Sequence, residues 1–463
     1  MRAIMFDFLM TIPAAVKVGG TFLAILAVNR LGLSLGTAIL SFSFVLAFWS
    51  GMAGGDILTQ LASFRKPENY LLPVVILLLL FFTEALDRTG RIAQTLAVMK
   101  SRLPNRKWLF LGLPAFVGLL PMPGGALFSA PLVAAADSEN GLDNSLKAAL
   151  NYWFRHIWEY WWPLYPGVIL AVRYSGLPFG TFLALQFPFT VAALAGGYIF
   201  LLRRLPLPAV PPPVPPRRDP GPPPHFPEGS RERQGPHPPA PRSLGELFSA
   251  AAPIIVLIIT SLAGSVLLPH RGLSGTTAGL LSMLAGLIIA TAMAFAGRGA
   301  AWRETVRLLG RAHVWNMLLL VISIQVFAAV LQYPQEATGK TIVAVMRDEF
   351  IAGGIPVTLL IAGIPFISGL ATGVAFGFVG ASFPIIFALL GDNPGLPTAA
   401  SATALAYACG YAGMMLSPLH ICYVVTCEYF QIPLWRTYRH IAGPTALIVL
   451  FSLALATIYR HLL

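Results

Sequence analysis

The stretch NYWFRHIWEYWWPLYPG, residues 151–167, sets three ionisable side chains and a helix break inside an aromatic, apolar run. Arg155, His156 and Glu159 fall within five positions, just ahead of Pro163 and Pro166-Gly167. On a helix, Arg155 and Glu159 share a face as i and i+4, and so do His156 and Tyr160. If the helix lies in lipid, an ionisable group at depth marks function. A break there needs cover from protein or a wet cavity, because lipid offers its backbone no partner.

The composition puts the run in lipid. Of 463 residues, 56% are hydrophobic and 11% charged, against about 25% charged in soluble domains. Several separate apolar runs reach the ~20 residues that cross a bilayer. They are continuous rather than alternating, which excludes a β-barrel. The fold class is therefore an all-α, multi-pass membrane protein embedded in a lipid bilayer. The net charge of +12 is not a nucleic-acid signal here, because cytoplasmic loops collect Lys and Arg. Cys409, Cys422 and Cys427 match no metal or redox spacing and read as ordinary buried residues. The N-terminus lacks a cleavage pattern and reads as a retained first span.

Hydropathy predicts spans near 9–28, 35–52 and 70–87, a broken apolar region at 108–136, then spans at 151–172 and 180–202. Residues 203–243 hold 16 of the 39 prolines and suit only extended or disordered chain. The second half repeats the order, with spans near 247–268, 276–296 and 313–332, an amphipathic piece at 335–350, a broken region at 354–390, and spans near 401–429 and 441–459. Three units follow: an N-terminal membrane repeat (1–202), a proline-rich linker (203–243) and a C-terminal repeat (244–463).

The halves also match locally. LFSAPLV (127–133) aligns with GASFPII (380–386), placing Ser129 on Ser382, after glycine-rich turns PMPGG (121–125) and ATGVAFG (371–377). Downstream, WPLY (162–165) aligns with SPLH (417–420). Charge adds a topology. If both broken regions enter and leave on one side, the loops 29–34, 87–107, 137–150, 203–243, 297–312 and 430–440 lie together. They carry 21 of the 31 Lys and Arg and are expected to be cytoplasmic. This gives about ten transmembrane helices plus two re-entrant hairpins in an inverted-topology repeat, in the inner membrane, with a cytoplasmic linker.

Four interruptions then fall in pairs: hairpin tips at Pro121–Gly125 and Ala371–Gly377, and broken spans at Pro163–Gly167 and Ser417–His420. Paired interruptions point to a midplane binding site. Half-helix N-termini suit an anion, and freed carbonyls suit a cation such as Na⁺. Pro123, Gly124, Gly125, Ser129, Arg155, Thr372, Gly373, Ser382 and His420 are the expected substrate-binding residues, with His156 and Glu159 as coupling groups for a proton or ion. A second account of 151–167 has a snorkelling Arg155, an interfacial tryptophan belt and a structural Arg155–Glu159 pair. Ser and Thr hydroxyls can equally bond their own helix. Glu84, Asp87 and Glu428 read as helix-end charges. No phosphate loop, zincin helix or nucleophile elbow occurs, so neither an enzyme nor an ATP-driven pump is expected.

LPMPGGALFSAPLV (120–133), NYWFRHIWEYWWPLYPG and GLATGVAFGFVGASFPI (369–385) resemble the domain of unknown function 401 family of integral membrane proteins. That family is grouped with the ion transporter superfamily of gluconate permeases, dicarboxylate carriers and some sodium/proton antiporters. The resemblance covers nearly all of the chain except the linker. It implies two inverted repeats, each with a hairpin and an unwound span, and a transport domain moving against a scaffold, often in a homodimer. The Ser-Asn-Thr tip of the dicarboxylate carriers is absent. The expected function is secondary transport of a small organic anion, a carboxylate, coupled to H⁺ or Na⁺. The alternatives are a sodium/proton antiporter, and a non-transporting receptor or scaffold that works through its linker.

Overall fold

The computed structural model describes residues 11–52, 55–56, 59, 65–91, 106–119, 125–137, 141–203, 205, 244–297, 300–335, 339–391 and 394–463. Among them are eighteen α-helices and no strand, only one isolated bridge between Pro334 and Thr341. The first half holds α1 (Ala14–Arg30), α2 (Leu35–Trp49), α3 (Pro67–Arg88), α4 (Arg106–Gly118), α5 (Ala126–Ala136), α6 (Asn144–Arg155), α7 (Pro166–Ser175) and α8 (Phe179–Gly197). The second holds α9 (Leu244–Leu267), α10 (Gly275–Phe295), α11 (Ala300–Val306), α12 (Ala312–Leu331), α13 (Ile342–Ala352), α14 (Val357–Thr372), α15 (Ala375–Leu390), α16 (Leu396–Met415), α17 (Ile421–Tyr429) and α18 (Leu434–Leu462).

Five helical segments are long and apolar enough to cross a membrane: α3, α8 with its π-helical extension to Leu202, α10, α12 and α18. The α13–α14 pair, bent by 118°, makes a sixth if counted as one span. α4 and α5, at 13 and 11 residues, reach only about 20 and 17 Å at 1.5 Å per residue. Neither crosses a bilayer alone.

Local chemistry places several starts. Ser34 and Ser274 each cap a helix by accepting from the backbone N–H of Thr37 and Thr277, as N-cap serines do. Each follows a glycine with positive φ, Gly32 at 102° and Gly272 at 84°. The two turns share Gly-Leu-Ser-x-x-Thr-Ala, residues 32–38 and 272–278. α1 has no side-chain cap of its own. Glu349 of α13 supplies one, accepting from Ala14 N at 2.8 Å and Ala15 N at 2.7 Å.

Helices from the two halves interleave. α2 packs on α12, α3 on α10, α5 on α17, and α7 on α15. Small residues set the closest approaches, as is usual between membrane helices. A Cβ on Gly369 would meet the Gly410 carbonyl oxygen at 2.1 Å, and one on Gly413 the Phe366 oxygen at 2.0 Å. These contacts lock α14 parallel to α16.

Partners along the helices define two ends. At one, Arg88 of α3 bonds Glu84 and Glu304, Arg311 at the start of α12 pairs with Glu84, and Arg439 of α18 bonds Asp143 ahead of α6. Glu84 thus belongs to a helix-end network, as its position suggested. At the other end, the start of α3 and the ends of α7, α12 and α15 line one cavity. The segments flanking 92–105, 138–143, 298–311 and 430–433 share the first end, which matches the grouping drawn from charge.

Candidate functional site

The two broken helices meet in the middle of the bundle. The first breaks earlier than its prolines predict. α6 ends at Arg155, and residues 156–165 run as turns before α7 starts at Pro166. Arg155 and Glu159 therefore do not share a helical face, and the i, i+4 expectation fails. The helix stops because other helices take its carbonyls. Tyr411 donates to His156 O at 3.0 Å, Thr190 to Ile157 O at 2.6 Å and Tyr407 to Glu159 O at 2.6 Å. The second break is treated alike: Tyr152 donates to Met415 O at 3.1 Å and Tyr438 to Leu416 O at 3.0 Å. Each break is thus capped by hydroxyls from both halves.

The tryptophans do related work. Trp158 Nε1 donates to Ala115 O at 2.7 Å, Trp162 Nε1 to Leu119 O at 2.8 Å, and the Tyr165 hydroxyl to Gly118 O. Three side chains of the first break thereby satisfy the open end of α4. Trp153 is fully buried and donates to Ala193 O at 2.9 Å. These residues hold unwound backbone together, which an interfacial belt would not do.

Arg155 occupies the junction and is 3% exposed. Its Nη1 lies 2.9 Å from Cys422 Sγ and 3.4 Å from His156 Nε2. A Cβ on Gly125 would lie 2.3 Å from Nη2, and one on Gly118 only 1.8 Å from the Arg155 carbonyl oxygen. At Gly118, where the clash is with backbone, only glycine fits; at Gly125 a side chain would displace the guanidinium. The guanidinium therefore sits where α5 and α17 begin, after Gly125 and His420. Fully buried arginine on an isolated helix is costly; here two helix N-termini and a thiol surround it.

His156 Nδ1 lies 2.6 Å from Tyr152 O. A carbonyl only accepts, so Nδ1 carries the hydrogen and, in the neutral ring, Nε2 is the acceptor. Nε2 faces Arg155 on one side and Glu159 Oε1, at 3.8 Å, on the other. The His420 ring stands edge-on to His156, centroids 4.7 Å apart, and its Nδ1 is buried without a hydrogen-bond partner. His156, His420 and Cys422 each bring a ligand atom within 4.8 Å of the others, residue types that suit a transition metal. The permanent cation of Arg155 lies against two of those atoms, so this donor set fits an anion or a mobile proton better than a metal cation.

Of the expected residues, Gly125, Arg155, His156, Glu159 and His420 come together. Gly373 packs against the second break, where a Cβ would meet His420 N at 2.8 Å. Ser129, Ser382 and Thr372 bond carbonyls of their own helices, Gly125 O at 3.4 Å, Phe378 O at 2.6 Å and Ser368 O at 2.8 Å, and present no spare hydrogen to the junction. Pro123 and Gly124 lie outside the described residues. Composition gave no sign of Cys422 or of the capping tyrosines. Cys422 is two residues past the second break, and that proximity was its one available signal.

Lipid-length apolar helices, with an arginine buried where two interrupted helices meet, define a multi-pass membrane protein. The chain belongs to the family described as Protein of unknown function (DUF401), which it matches over residues 19–210 and 232–458. The match lapses over residues 211–231, inside the proline-rich stretch. No curated protein matches the chain.

Proposed function

We propose that the protein is a secondary transporter of a small organic anion, a carboxylate, driven by protons. Its two halves are read as inverted repeats of five spans and one re-entrant hairpin each, ten spans in all. The shared Gly-Leu-Ser-x-x-Thr-Ala turns and the exchanged packing of α2 on α12 and α3 on α10 support the repeat. So does the parallel course of α14 and α16, which takes the second hairpin in and out at one end. On the positive-inside rule, the Arg88–Arg311–Arg439 end faces the cytoplasm across the inner membrane, along with the linker.

One observation carries the anion reading: the Arg155 guanidinium sits buried between the N-termini of α5 and α17. Permanent charge and two positive dipole ends converge there. The choice of proton over Na⁺ rests on the backbone. The carbonyls freed at His156, Ile157, Glu159, Met415 and Leu416 already accept hydroxyl donors, whereas His156, Glu159 and His420 gather beside Arg155. An anion arriving at Arg155 would compete with Glu159 for the same positive field, so anion and proton occupancy are linked.

The test is reconstitution into liposomes with an imposed pH gradient and a panel of mono-, di- and tricarboxylates. Anion uptake accompanied by proton entry, lost in Arg155→Gln, is expected. Proton flux that follows Na⁺ and ignores every anion would establish the sodium/proton antiporter instead, with Arg155 a structural partner.

A further inference from the structure

A second polar site lies away from the junction. A cavity of about 840 Å³ opens at the end opposite the Arg88–Arg311 network. It is bounded by the start of α3, the ends of α7, α12 and α15, and the starts of α13 and α16. None of Arg155, His156, Glu159, His420 or Cys422 lines it. α7 and α15 run from their contact at Gly167 and Ala375 up to its wall. Arg173 and Pro384 stand six and nine residues along them, ~9–14 Å at helical rise.

Gln325 faces this cavity from α12. It is 6% exposed, and neither its amide nitrogen nor its amide oxygen has a hydrogen-bond partner. Burying an amide unpaired costs on the order of 1–3 kcal/mol in proteins. In the largely apolar stretch Leu318–Leu331, an apolar residue would avoid that cost. The amide therefore stands ready for something that enters the cavity.

The charges around it select what enters. Arg173 Nη2 bonds Asn69 Oδ1 at 3.2 Å, which orients the guanidinium without neutralising it. Among the described residues, no carboxylate pairs with Arg173 or Lys66 within 4 Å. Lys340 and Arg347 share one carboxylate, Asp348, at 2.7 and 3.8 Å. Among the described residues, Glu68 is the one acidic residue in the lining, and it accepts from Thr277 at 3.2 Å. Among the described residues, four cations stand against two acids, a positive balance of the kind that concentrates anions. The volume lies in the range of small-molecule pockets, about 300–1,000 Å³.

We infer that this vestibule is a separate binding site for a small carboxylate, with Arg173 as its charge partner and Gln325 as its amide donor. The carboxylate would take one oxygen on Arg173 and one on the Gln325 amide nitrogen. The amide oxygen remains to accept from a hydroxyl, should the ligand carry one. Binding here does not depend on the Arg155 junction and can be read without it.

The test uses the full-length protein in detergent carrying Arg155→Gln, titrated with acetate, succinate, citrate and inorganic phosphate while thermal unfolding is followed. A ligand that binds only the folded state raises its apparent stability. A carboxylate-dependent rise is expected to persist in that background and to weaken at least about tenfold on adding Arg173→Gln, since hydrogen bonds to charged groups contribute about 1.5–3 kcal/mol. Gln325→Leu separates binding from structure. It should raise the midpoint without ligand, because it removes an unpaired buried amide, and should shrink the carboxylate response. The inference is overturned if no anion shifts the Arg155→Gln protein, if the shift ignores both Arg173 and Gln325, or if Gln325→Leu lowers the ligand-free midpoint. Phosphate shifting the midpoint as well as the carboxylates would replace carboxylate selectivity with general anion attraction. A parent protein, with Arg155 intact, that shows the vestibule response yet transports no carboxylate would leave this site standing and remove the junction's role.

Discussion

Removing one hydroxyl at the first break tests how unwound backbone survives in lipid. Tyr407 is fully buried, and its ring lies against Phe182, Phe378 and Phe383. Tyr407→Phe keeps that packing and deletes only the donor to Glu159 O at 2.6 Å. An unsatisfied buried acceptor costs about 1–3 kcal/mol. Inter-helix hydrogen bonds in membranes average nearer ~0.6 kcal/mol and reach ~1.7, because the unfolded chain in the bilayer finds other partners. The expected loss is therefore about 1 kcal/mol. Tyr411→Phe, which frees His156 O, should cost a similar amount, and the double variant about 2 kcal/mol unless the two breaks in the ladder couple. Equilibrium unfolding in mixed micelles measures this directly, with the exposed Tyr198→Phe as control. A Tyr407→Phe protein as stable as the control would refute the argument that these tyrosines replace the missing helix bonds. A loss confined to Tyr411→Phe would refute it for Tyr407 alone.

Three other perturbations have definite outcomes. Gly413→Ala drives a methyl to 2.0 Å from the Phe366 oxygen, so the α14–α16 seam must part; a loss of at least about 1–3 kcal/mol is expected, and an unchanged unfolding midpoint would contradict the close packing. Glu349→Gln weakens the cap on α1, at about 1 kcal/mol or less, and hydrogen exchange should rise at Ala14 and Ala15 while α12 keeps its protection. Asp143, outside the spans, has its carboxyl held below the ordinary range first by the Ser145 hydroxyl and then by Arg439, against a smaller opposing effect of burial. A depressed carboxylate pKa contributes stability above its unfolded value and loses it as pH falls through the folded one. Because Asp143 is half exposed, Asp143→Asn should cost no more than ~1 kcal/mol at neutral pH and nothing once both states are protonated. A cost that grew on acidification would reverse the assigned sign.

Much of the architecture was legible because lipid imposes a simple rule on sequence. Apolar runs of sufficient length and glycine-proline interruptions announced themselves; the proline-rich stretch lies almost wholly outside the described residues. The first break was placed too late because Pro163 and Pro166 are its visible marks. The helix in fact stops at Arg155, where no breaker stands. Tyr411, Thr190 and Tyr407 bind the carbonyls just beyond it, across 255, 33 and 248 residues, and such distant contacts leave no local trace. Cys422 was passed over for the same reason: its partner, Arg155, lies in the other half. The hydroxyls of Ser129 and Ser382 aligned in sequence, yet each of them, like Thr372, turns back on its own helix, so the alignment did not locate ligand-binding hydroxyls. Gln325 carries no motif in the sequence, and only the cavity beside it draws notice to the residue. The Gly-Leu-Ser-x-x-Thr-Ala turns could have been found by eye; they lie in loops, outside the hydropathy signal that guided the comparison of halves.

The account turns on Arg155 binding the anion, and one measurement reaches it most directly. Purified protein and its Arg155→Gln variant are each titrated with a panel of carboxylates at acidic and neutral pH while thermal unfolding is followed. The account predicts that one carboxylate class stabilises the parent protein more strongly at acidic pH, and that the tighter component of this response disappears in a folded Arg155→Gln variant. An Arg155→Gln protein that keeps the parent's full affinity and pH dependence would contradict it, and would reduce Arg155 to a structural bridge between the two broken helices.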